Sequence, residues 1–380
     1  MGKTPAVILC LAVIALLTLG VVILASTGVW DEAPGEEYHL LKRQIQWLFT
    51  GLAVAAVLAV TDYRLLRGLW IPLAIISTIL LILCYVPGIQ YESNGETRWI
   101  KAPFIGRFQP SEMAKLTSVI SLAAWFCRYQ AETRTLWRGF IFPGILVGIP
   151  ILLVLFETDM GTAAAMAGAA FLLFFLTGTR LLYLVPTIIL GAGAMVAVVS
   201  SNDNRMARIE AFRNLEEHRL GVGLQQYRAL FAFGNGGVTG VGLGNGAEKH
   251  GYLPEAHTDF IFPIVGEELG LRATLATVFC FVIITVFGFG IALAAPDHFG
   301  RMLGMGLTAI IVVPALMNMG VTTHLLPNTG LPLPFVSYGG SNLVFTLAMV
   351  GILLSIHRRT VRHERAEMPA IKEKRLDLRI

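Results

Sequence analysis

Ten long apolar segments alternate with polar connections along the chain. All but the eighth, which is longer, are near the ~20 residues that an α-helix needs to cross a bilayer, and continuous rather than alternating hydrophobicity disfavours a β-barrel. In lipid a segment must satisfy its own backbone hydrogen bonds, so the pattern predicts an all-α polytopic membrane protein with ten transmembrane helices. The segments cover residues 5–29, 44–61, 69–88, 110–128, 140–157, 160–177, 181–200, 261–294, 302–325 and 338–357.

Two polar interruptions modify this pattern. Glu267, Glu268 and Arg272 break the start of the eighth segment, which predicts a short interfacial helix over its first dozen residues. The long loop 201–260 contains apolar positions at helical spacing, which predict an amphipathic helix on the membrane surface. These positions are Leu224, Tyr227, Leu230 and Phe231.

Charge fixes the expected orientation. Only 14% of the 380 residues are charged and 55% are hydrophobic, whereas a soluble domain carries about 25% charged residues. With the N-terminus inside, most Lys and Arg face the cytoplasm, as the positive-inside rule requires. Both termini are then cytoplasmic, and loop 201–260, between helices 7 and 8, is extracytoplasmic. We expect one membrane domain over 1–360 and a charged cytoplasmic tail over 361–380.

The four cysteines lie in or at the edge of apolar segments without CxxC or zinc spacing. This distribution argues against a disulfide framework or a metal site. The first apolar run is longer than the core of a signal peptide, so we interpret it as an uncleaved span.

The stretch QPSEMAK, residues 109–115, opens the fourth helix. Glu112 and Lys115 stand three residues apart and therefore share one helix face. Ionisable side chains at membrane depth pair with one another or face a cavity. The spacing predicts an ion pair, a cavity lining, or both.

Three further polar stretches fall near the expected outer face. Asp159, in ETDMGT, follows the fifth span and either caps the sixth helix or contributes to a site. The loop NGETRWI, residues 94–100, places Arg98 at the interface. In LLPNTGLPLPFVSYGGSNL, residues 325–343, the irregular backbone needs protein or a water-filled cavity around it. Its polar side chains either line that cavity or satisfy the backbone.

The stretch LPEAHTDFIF, residues 253–262, places Asp259 where helix eight begins. Glu255 and His257 crowd the same region. Asp259 is either a helix N-cap or a partly desolvated carboxylate suited to act as a general base. The residues alone leave both interpretations open.

These motifs, in this order on a ten-span frame, resemble the SEDS family (shape, elongation, division and sporulation). The stretches that match are NGETRWI, FQPSEMAK, DMGT, LPEAHTDFIFPIVGEELG and LPLPFVSYGGSNL. The similarity covers nearly the whole chain except the tail and slightly favours the division type over the elongation type. One departure is Thr158, where the family usually has proline before the aspartate.

The resemblance implies a glycosyltransferase that polymerises lipid II, the undecaprenyl-diphosphate-linked disaccharide pentapeptide, into β-1,4 glycan strands with inversion. The family's essential aspartate falls on Asp259 and its polar cavity residues fall on Glu112, Lys115 and Asp159. Further substrate-binding candidates are Arg98, Lys101, Arg107, Glu255, His257, Ser337 and Ser341.

The resemblance also implies partners and a location. We expect a multi-pass protein of the bacterial cytoplasmic membrane that works with a class B penicillin-binding protein and other division or elongation proteins, and not with nucleic acid. No cofactor is evident, although Mg²⁺ or Mn²⁺ is compatible with a diphosphate substrate. Two alternatives are a lipid II flippase and a non-catalytic scaffold of the cell-wall synthesis complex.

Overall fold

Each predicted apolar segment contains a helix. The computed structural model describes residues 4–31, 38–93, 96–102, 106–200 and 203–377. The first seven helices are α1 Thr4–Asp31, α2 His39–Val60, α3 Leu65–Leu83, α4 Pro110–Arg128, α5 Phe142–Phe156, α6 Met160–Leu176 and α7 Leu181–Ser200.

Five more helices follow, two of them inside the long polar loop. They are α8 Asp203–Arg213, α9 Leu224–Gly236, α10 Ile261–Leu293, α11 His298–Thr322 and α12 Gly340–Asp377. The helix predicted from apolar spacing at 224–231 is confirmed as α9. The last helix continues through most of the charged tail.

Seven helices of the described chain are long and apolar enough to cross a membrane. They are α1, α2, α3, α10, α11, the first 27 residues of α12, and α5 with the turn before it. The apolar parts of α6 and α7 are shorter, and α4 carries charged and hydroxyl side chains on a largely buried surface. The chain is therefore a multi-pass membrane protein, and ten crossings remain a prediction.

The all-α prediction is wrong between residues 90 and 108. Three antiparallel strands form a sheet there, in the order β1 Gln90–Ser93, β2 Glu96–Ala102 and β3 Gly106–Phe108. This stretch is too polar for a span, and its aromatic and β-branched positions suit a small pleated sheet. Phe108 leads through Gln109 into α4, so the sheet is attached directly to the start of that helix. Asn94 and Gly95 lie outside the described residues.

Helix α11 lies at the centre of the bundle. Most of its length is buried, and it packs against α4, α6, α10 and α12. Gly306 allows the closest approach, since a Cβ there would lie 2.5 Å from Val119 of α4 and 2.9 Å from Leu173 of α6. Small residues let membrane helices approach closely where hydrophobicity alone gives no driving force.

Helix α10 is broken at Gly270, whose φ of 76° and ψ of −173° are not helical. The glycine-rich loop 237–246, which follows α9, fills the break. The Val241 and Gly242 amides donate to the Glu267 and Glu268 carbonyls, both at 3.0 Å. The predicted interruption is confirmed. Residues 261–268 are all buried within the protein, and their interfacial position stays a prediction.

The two ends of α10 define two regions of the molecule. Asp259 precedes the helix and Asp297 follows it, so we call these regions the Asp259 end and the Asp297 end. At the Asp297 end, the Tyr63 hydroxyl donates to Asp297 at 2.5 Å and Arg64 pairs with the same carboxylate at 2.9 Å. Asp297 also caps α11 by accepting from the Gly300 amide at 2.8 Å. The predicted topology makes the Asp297 end cytoplasmic.

Candidate active site

Asp259 lies in a tight turn directly before α10. The Thr258 and Phe260 amides both donate to the Glu255 carbonyl at 3.1 Å, and the Thr258 hydroxyl donates to the Glu255 carboxylate at 2.7 Å. The N-cap of α10 is Phe260, so the N-cap interpretation of Asp259 is wrong. Its side chain is half-buried.

The irregular segment 325–339 packs against this turn. The Ser337 hydroxyl donates to the Thr258 carbonyl at 2.6 Å, and the Tyr338 amide donates to the His257 carbonyl at 2.9 Å. The rings of His257 and Tyr338 meet edge to face, 6.0 Å apart. Oδ2 of Asp259 lies 3.3 Å from where a Cβ on Gly330 would stand. The carboxylate therefore abuts the irregular segment that the sequence predicted to need protein or a cavity around it.

Three buried amide side chains hold the irregular segment. Gln44 of α2 donates to the Ser337 carbonyl at 3.2 Å and accepts from the Gly339 amide at 3.3 Å. Gln226 of α9 donates to the carbonyls of Val321 and Leu326 at 2.9 and 2.8 Å. Asn318 of α11 donates to those of Leu331 and Asp259 at 2.6 and 2.7 Å.

These amides replace the backbone partners that a helix would supply. Buried carbonyl groups need hydrogen bonds, and a primary amide offers two donors. Sequence reasoning missed all three. The signal available was an isolated amide within an otherwise apolar stretch, at Asn318.

The start of α4 carries the predicted ion pair. Lys115 Nζ lies 2.8 Å from Glu112 Oε2, with side-chain exposures of 5% and 2%. The Asn342 amide donates to Glu112 Oε1 at 3.2 Å, and Ser341 Oγ accepts from the Gln109 amide at 3.1 Å. The ion-pair interpretation is confirmed. The hydrogen bonds of Asn342 and Ser341 connect this part of the chain to the start of α12.

Asp159 caps α6 as predicted, accepting from the Thr162 amide at 3.0 Å. The side-chain Nε2 of Gln109 donates to the other oxygen of Asp159 at 3.5 Å, the limit of a hydrogen bond. A Cβ on Gly161 would lie 2.5 Å from Leu331 Cγ and 3.0 Å from the Thr329 carbonyl. The start of α6 therefore packs directly on the irregular segment that contacts Asp259.

The residue before Asp159 has an unusual backbone. Thr158 has φ of 65°, in the left-handed region, and its carbonyl accepts from Arg98 at 2.9 Å. Proline is locked near φ of −65° and cannot adopt this conformation. Thr158, which departs from the family pattern, therefore has a backbone conformation that proline could not adopt. Arg98 of the sheet donates a hydrogen bond to this hairpin.

Glu157 is a second carboxyl at this hairpin, which sequence reasoning missed. Its side chain is buried, and neither oxygen has a nitrogen or oxygen hydrogen-bond donor among the described residues. Burial raises the pKa of Glu157 to about 8; the Cys84 thiol and Arg98 oppose the rise, and the Asp159 charge adds to it. The carboxyl is therefore held largely neutral at physiological pH.

The remaining basic candidates lie together on the sheet. Lys101 and Arg107 are cross-strand partners, and the Arg107 guanidinium stacks 4.1 Å from the Tyr91 ring centroid while bonding its hydroxyl. Lys101 Nζ lies 5.9 Å from the same ring. The three basic side chains Arg98, Lys101 and Arg107 thus belong to one sheet, with Arg98 reaching the Thr158 hairpin.

The predicted residues fall into connected groups. The turn at Asp259 carries Glu255 and His257 and contacts Ser337. Leu331 connects it to Asp159 through the start of α6, and the Glu112–Lys115 pair lies on the α4 side, next to Ser341. Within the described ranges no group of three His, Cys, Asp or Glu side chains could hold a metal ion.

Residues 6–362 match the model of the FtsW/RodA/SpoVE family, described as cell cycle proteins. The chain belongs to this family. It is the family that the sequence motifs indicated.

Curated relatives span almost the whole chain. A probable peptidoglycan glycosyltransferase FtsW of Geobacter metallireducens is 38% identical over 354 residues, 93% of this chain and 94% of the relative. Stage V sporulation protein E of Bacillus subtilis is 36% identical, over 93% of this chain and 96% of the relative. The resemblance to division-type members is confirmed.

Solved structures of the family share the fold. A chain from a structure reported as "Structural coordination of polymerization and crosslinking by a peptidoglycan synthase complex" matches with a TM-score of 0.77 and 29% identity, over 93% of this chain and 97% of that one. The rod shape determining protein RodA of Thermus thermophilus matches with a TM-score of 0.68 and 28% identity, over 92% and 95%.

Proposed function

We propose that this protein is a peptidoglycan glycosyltransferase that polymerises lipid II into β-1,4 glycan strands. The reaction takes place at the outer face of the cytoplasmic membrane. Family membership and relatives named as FtsW support the activity. The observation that carries the site is the half-buried Asp259, set in a turn against a segment whose backbone is fixed by buried amides.

Asp259 is the general base of the reaction. Its carboxylate removes the proton from the 4-hydroxyl of the acceptor N-acetylglucosamine. The oxygen attacks C1 of the donor N-acetylmuramic acid, the bond from C1 to the diphosphate breaks, and undecaprenyl diphosphate leaves with the negative charge. Attack from the opposite side inverts the anomeric centre to β. A positioned base contributes about 10²–10⁴-fold.

The leaving diphosphate requires positive charge. Lys115 supplies it from α4, where Glu112 holds the ammonium in place at 2.8 Å. Arg98, Lys101 and Arg107 add charge from the sheet. Preorganised charges aimed at the leaving group stabilise the transition state without reorganisation.

The other polar candidates orient the sugars. His257 and Glu255 lie on the turn at Asp259, Ser337 lies on the irregular segment, and Ser341 lies at the start of α12. Asp159 caps α6, whose start packs on the irregular segment. Their fixed placement supplies the orientation that a two-substrate displacement needs. Mg²⁺ or Mn²⁺ would add positive charge at the diphosphate, beside that of the basic side chains.

The cellular setting follows from the relatives. One structural neighbour comes from a peptidoglycan synthase complex. We infer a class B penicillin-binding protein as the partner, with other proteins of the division or elongation machinery around it. The FtsW-like sequence favours division.

The test reconstitutes the full chain in liposomes with lipid II and measures two reactions in parallel. Polymerisation into glycan strands without transfer of lipid II between leaflets is the expected result. Transfer without polymerisation would establish a flippase instead. If neither reaction occurs but the chain stimulates the activity of the penicillin-binding protein, the protein is a scaffold.

A further inference from the structure

Asn318 joins the two segments that meet at the proposed reaction centre. It projects from α11, less than two turns before the helix ends at Thr322, and its side chain is 2% exposed. Nδ2 donates one hydrogen to the Asp259 carbonyl at 2.7 Å and the other to the Leu331 carbonyl at 2.6 Å. The backbone of the base and the irregular segment are thereby fixed to one atom of the central helix.

The orientation of this amide is determined by its neighbours. Two carbonyl oxygens within hydrogen-bonding distance require the NH₂ group there and place Oδ1 on the far side. Oδ1 is buried and has no hydrogen-bond partner in the described chain. A buried acceptor left unsatisfied is unfavourable, so the amide carries a cost that a purely packing side chain would avoid.

Gln226 offers a matched comparison. It is also 2% exposed, and its Nε2 also bridges two backbone carbonyls, those of Val321 and Leu326. Each amide therefore makes one bond to the irregular segment and one bond outside it, Gln226 to Val321 of α11 and Asn318 to Asp259. Of the two, only Asn318 binds the carbonyl of Asp259 itself.

We propose that Asn318 is a positioning residue that fixes the carboxylate of Asp259 relative to the irregular segment through the two backbone carbonyls it bridges. The proposal rests on the assignment of Asp259 as the base. Misplacement of a catalytic group by about 1 Å can cost about 10²-fold in rate. Asn318 acts through Asp259 and makes no bond to substrate.

The experiment compares Asn318→Leu with Gln226→Leu in the full chain, reconstituted with lipid II. Each substitution replaces the amide by an apolar side chain with a similar number of heavy atoms and removes two hydrogen bonds to carbonyls. We expect Asn318→Leu to lower kcat per folded molecule about 10–100-fold with KM for lipid II within about threefold. Gln226→Leu should keep kcat within about threefold while lowering the melting temperature similarly. Equal losses of kcat in the two variants would overturn the proposal.

A second readout separates positioning from general loosening. In Asp259→Glu the carboxylate remains but is displaced, so a measurable rate persists from an already misplaced base. Adding Asn318→Leu to Asp259→Glu should then lower kcat less than about threefold, because the effects of residues that act as one unit are not additive. If the fold-loss of kcat in the double variant equals the product of the losses in the two single variants, Asn318 acts independently of Asp259. If Asn318→Leu does not fold, Asn318→Ser, with one donor retained, is used for both comparisons.

Failure of this inference is distinguishable from failure of the base assignment. If Asp259→Asn is inactive and Asn318→Leu retains the wild-type kcat, positioning is wrong and the base stands. If Asp259→Asn retains the wild-type rate, the base assignment is wrong, and the positioning role is overturned with it.

Discussion

The two ends of α10 organise their charges in opposite ways. At the Asp259 end two ion pairs are buried: Glu112–Lys115 is at most 5% exposed, and Lys249–Glu268 is 0% exposed on both sides, while Arg228–Glu248 is 33% and 5% exposed. At the Asp297 end the pairs are open to solvent, with Arg64–Asp297 at 46% and 29%. At the Asp259 end the backbone between α11 and α12 is irregular over residues 325–339, whereas short turns connect α2 to α3 and α10 to α11 at the Asp297 end.

This difference indicates what each end is for. Exposed ion pairs contribute about 0–1 kcal/mol, enough to hold helix ends in register. Buried pairs carry a desolvation penalty that often cancels their attraction, so they are a poor way to gain stability. A chain that keeps two of them at the same end of α10 as Asp259 is constrained by something besides folding, and the proposed reaction supplies that constraint.

The largest effect should come from breaking the buried pair beneath the glycine-rich loop. Lys249 Nζ donates to Glu268 Oε1 and to the Ser26 hydroxyl, both at 2.6 Å. Lys249→Met leaves Glu268 charged and uncompensated, which should lower the free energy of unfolding by about 3–5 kcal/mol. Thermal unfolding in detergent measures it.

The matched control is Arg64→Met at the Asp297 end, which should lower the free energy of unfolding by at most about 1 kcal/mol. The double variant Lys249→Met with Glu268→Met should regain much of the stability, since both charges are gone. Equal losses at the two ends would contradict the contrast between them.

A smaller effect, dependent on pH, should come from Glu157. Its pKa is raised to about 8 from an ordinary value near 4.5. Between these values the folded chain holds a proton that the unfolded chain has released, so stability falls as pH rises through this window. Glu157→Gln removes this penalty and should raise the free energy of unfolding on the order of 2–4 kcal/mol at pH 9.

Unfolding at two pH values checks this prediction. Near pH 4 the glutamine variant and the parent should be equally stable, because the carboxyl is then protonated in both states. A stability difference that stays constant from pH 4 to pH 9 would show that Glu157 is not held neutral by burial.

The smallest effect should come from the strained hairpin. Thr158 sits at φ of 65°, and Thr158→Gly should stabilise the chain by about 1 kcal/mol, because glycine adopts this region without a Cβ penalty. The control is Thr133→Gly, at φ of −59°, which should be neutral or destabilising. The same sign of change at both threonines would contradict the account of strain.

The helical frame was predictable because its cause is local. Apolar runs near membrane length fold in the same way wherever they occur, and the Glu112–Lys115 pair and the Asp159 cap depend on spacings of three residues. The sheet at 90–108 escaped prediction because segment length and hydrophobicity were the criteria. The kink at Gly270 was foreseen as an interruption, but its burial depends on a loop some 30 residues away.

The site was predictable in its residue types and not in its assembly. The motif places a carboxylate at Asp259, but Ser337 and Asn318 contact that turn across 79 and 59 residues of chain. Glu157 reads as one more loop residue until burial changes its pKa. Long-range backbone contacts of this kind leave no periodic signal in one sequence.

The most direct test of the central claim compares Asp259→Asn with Asp297→Asn in glycan-strand synthesis from lipid II. Asp297→Asn retains a good helix cap and should keep the rate per folded molecule within about threefold, since it removes only charge at the Asp297 end. Asp259→Asn removes the base and should lower the rate about 10²–10⁴-fold with the fold intact. A wild-type rate in Asp259→Asn would contradict the account.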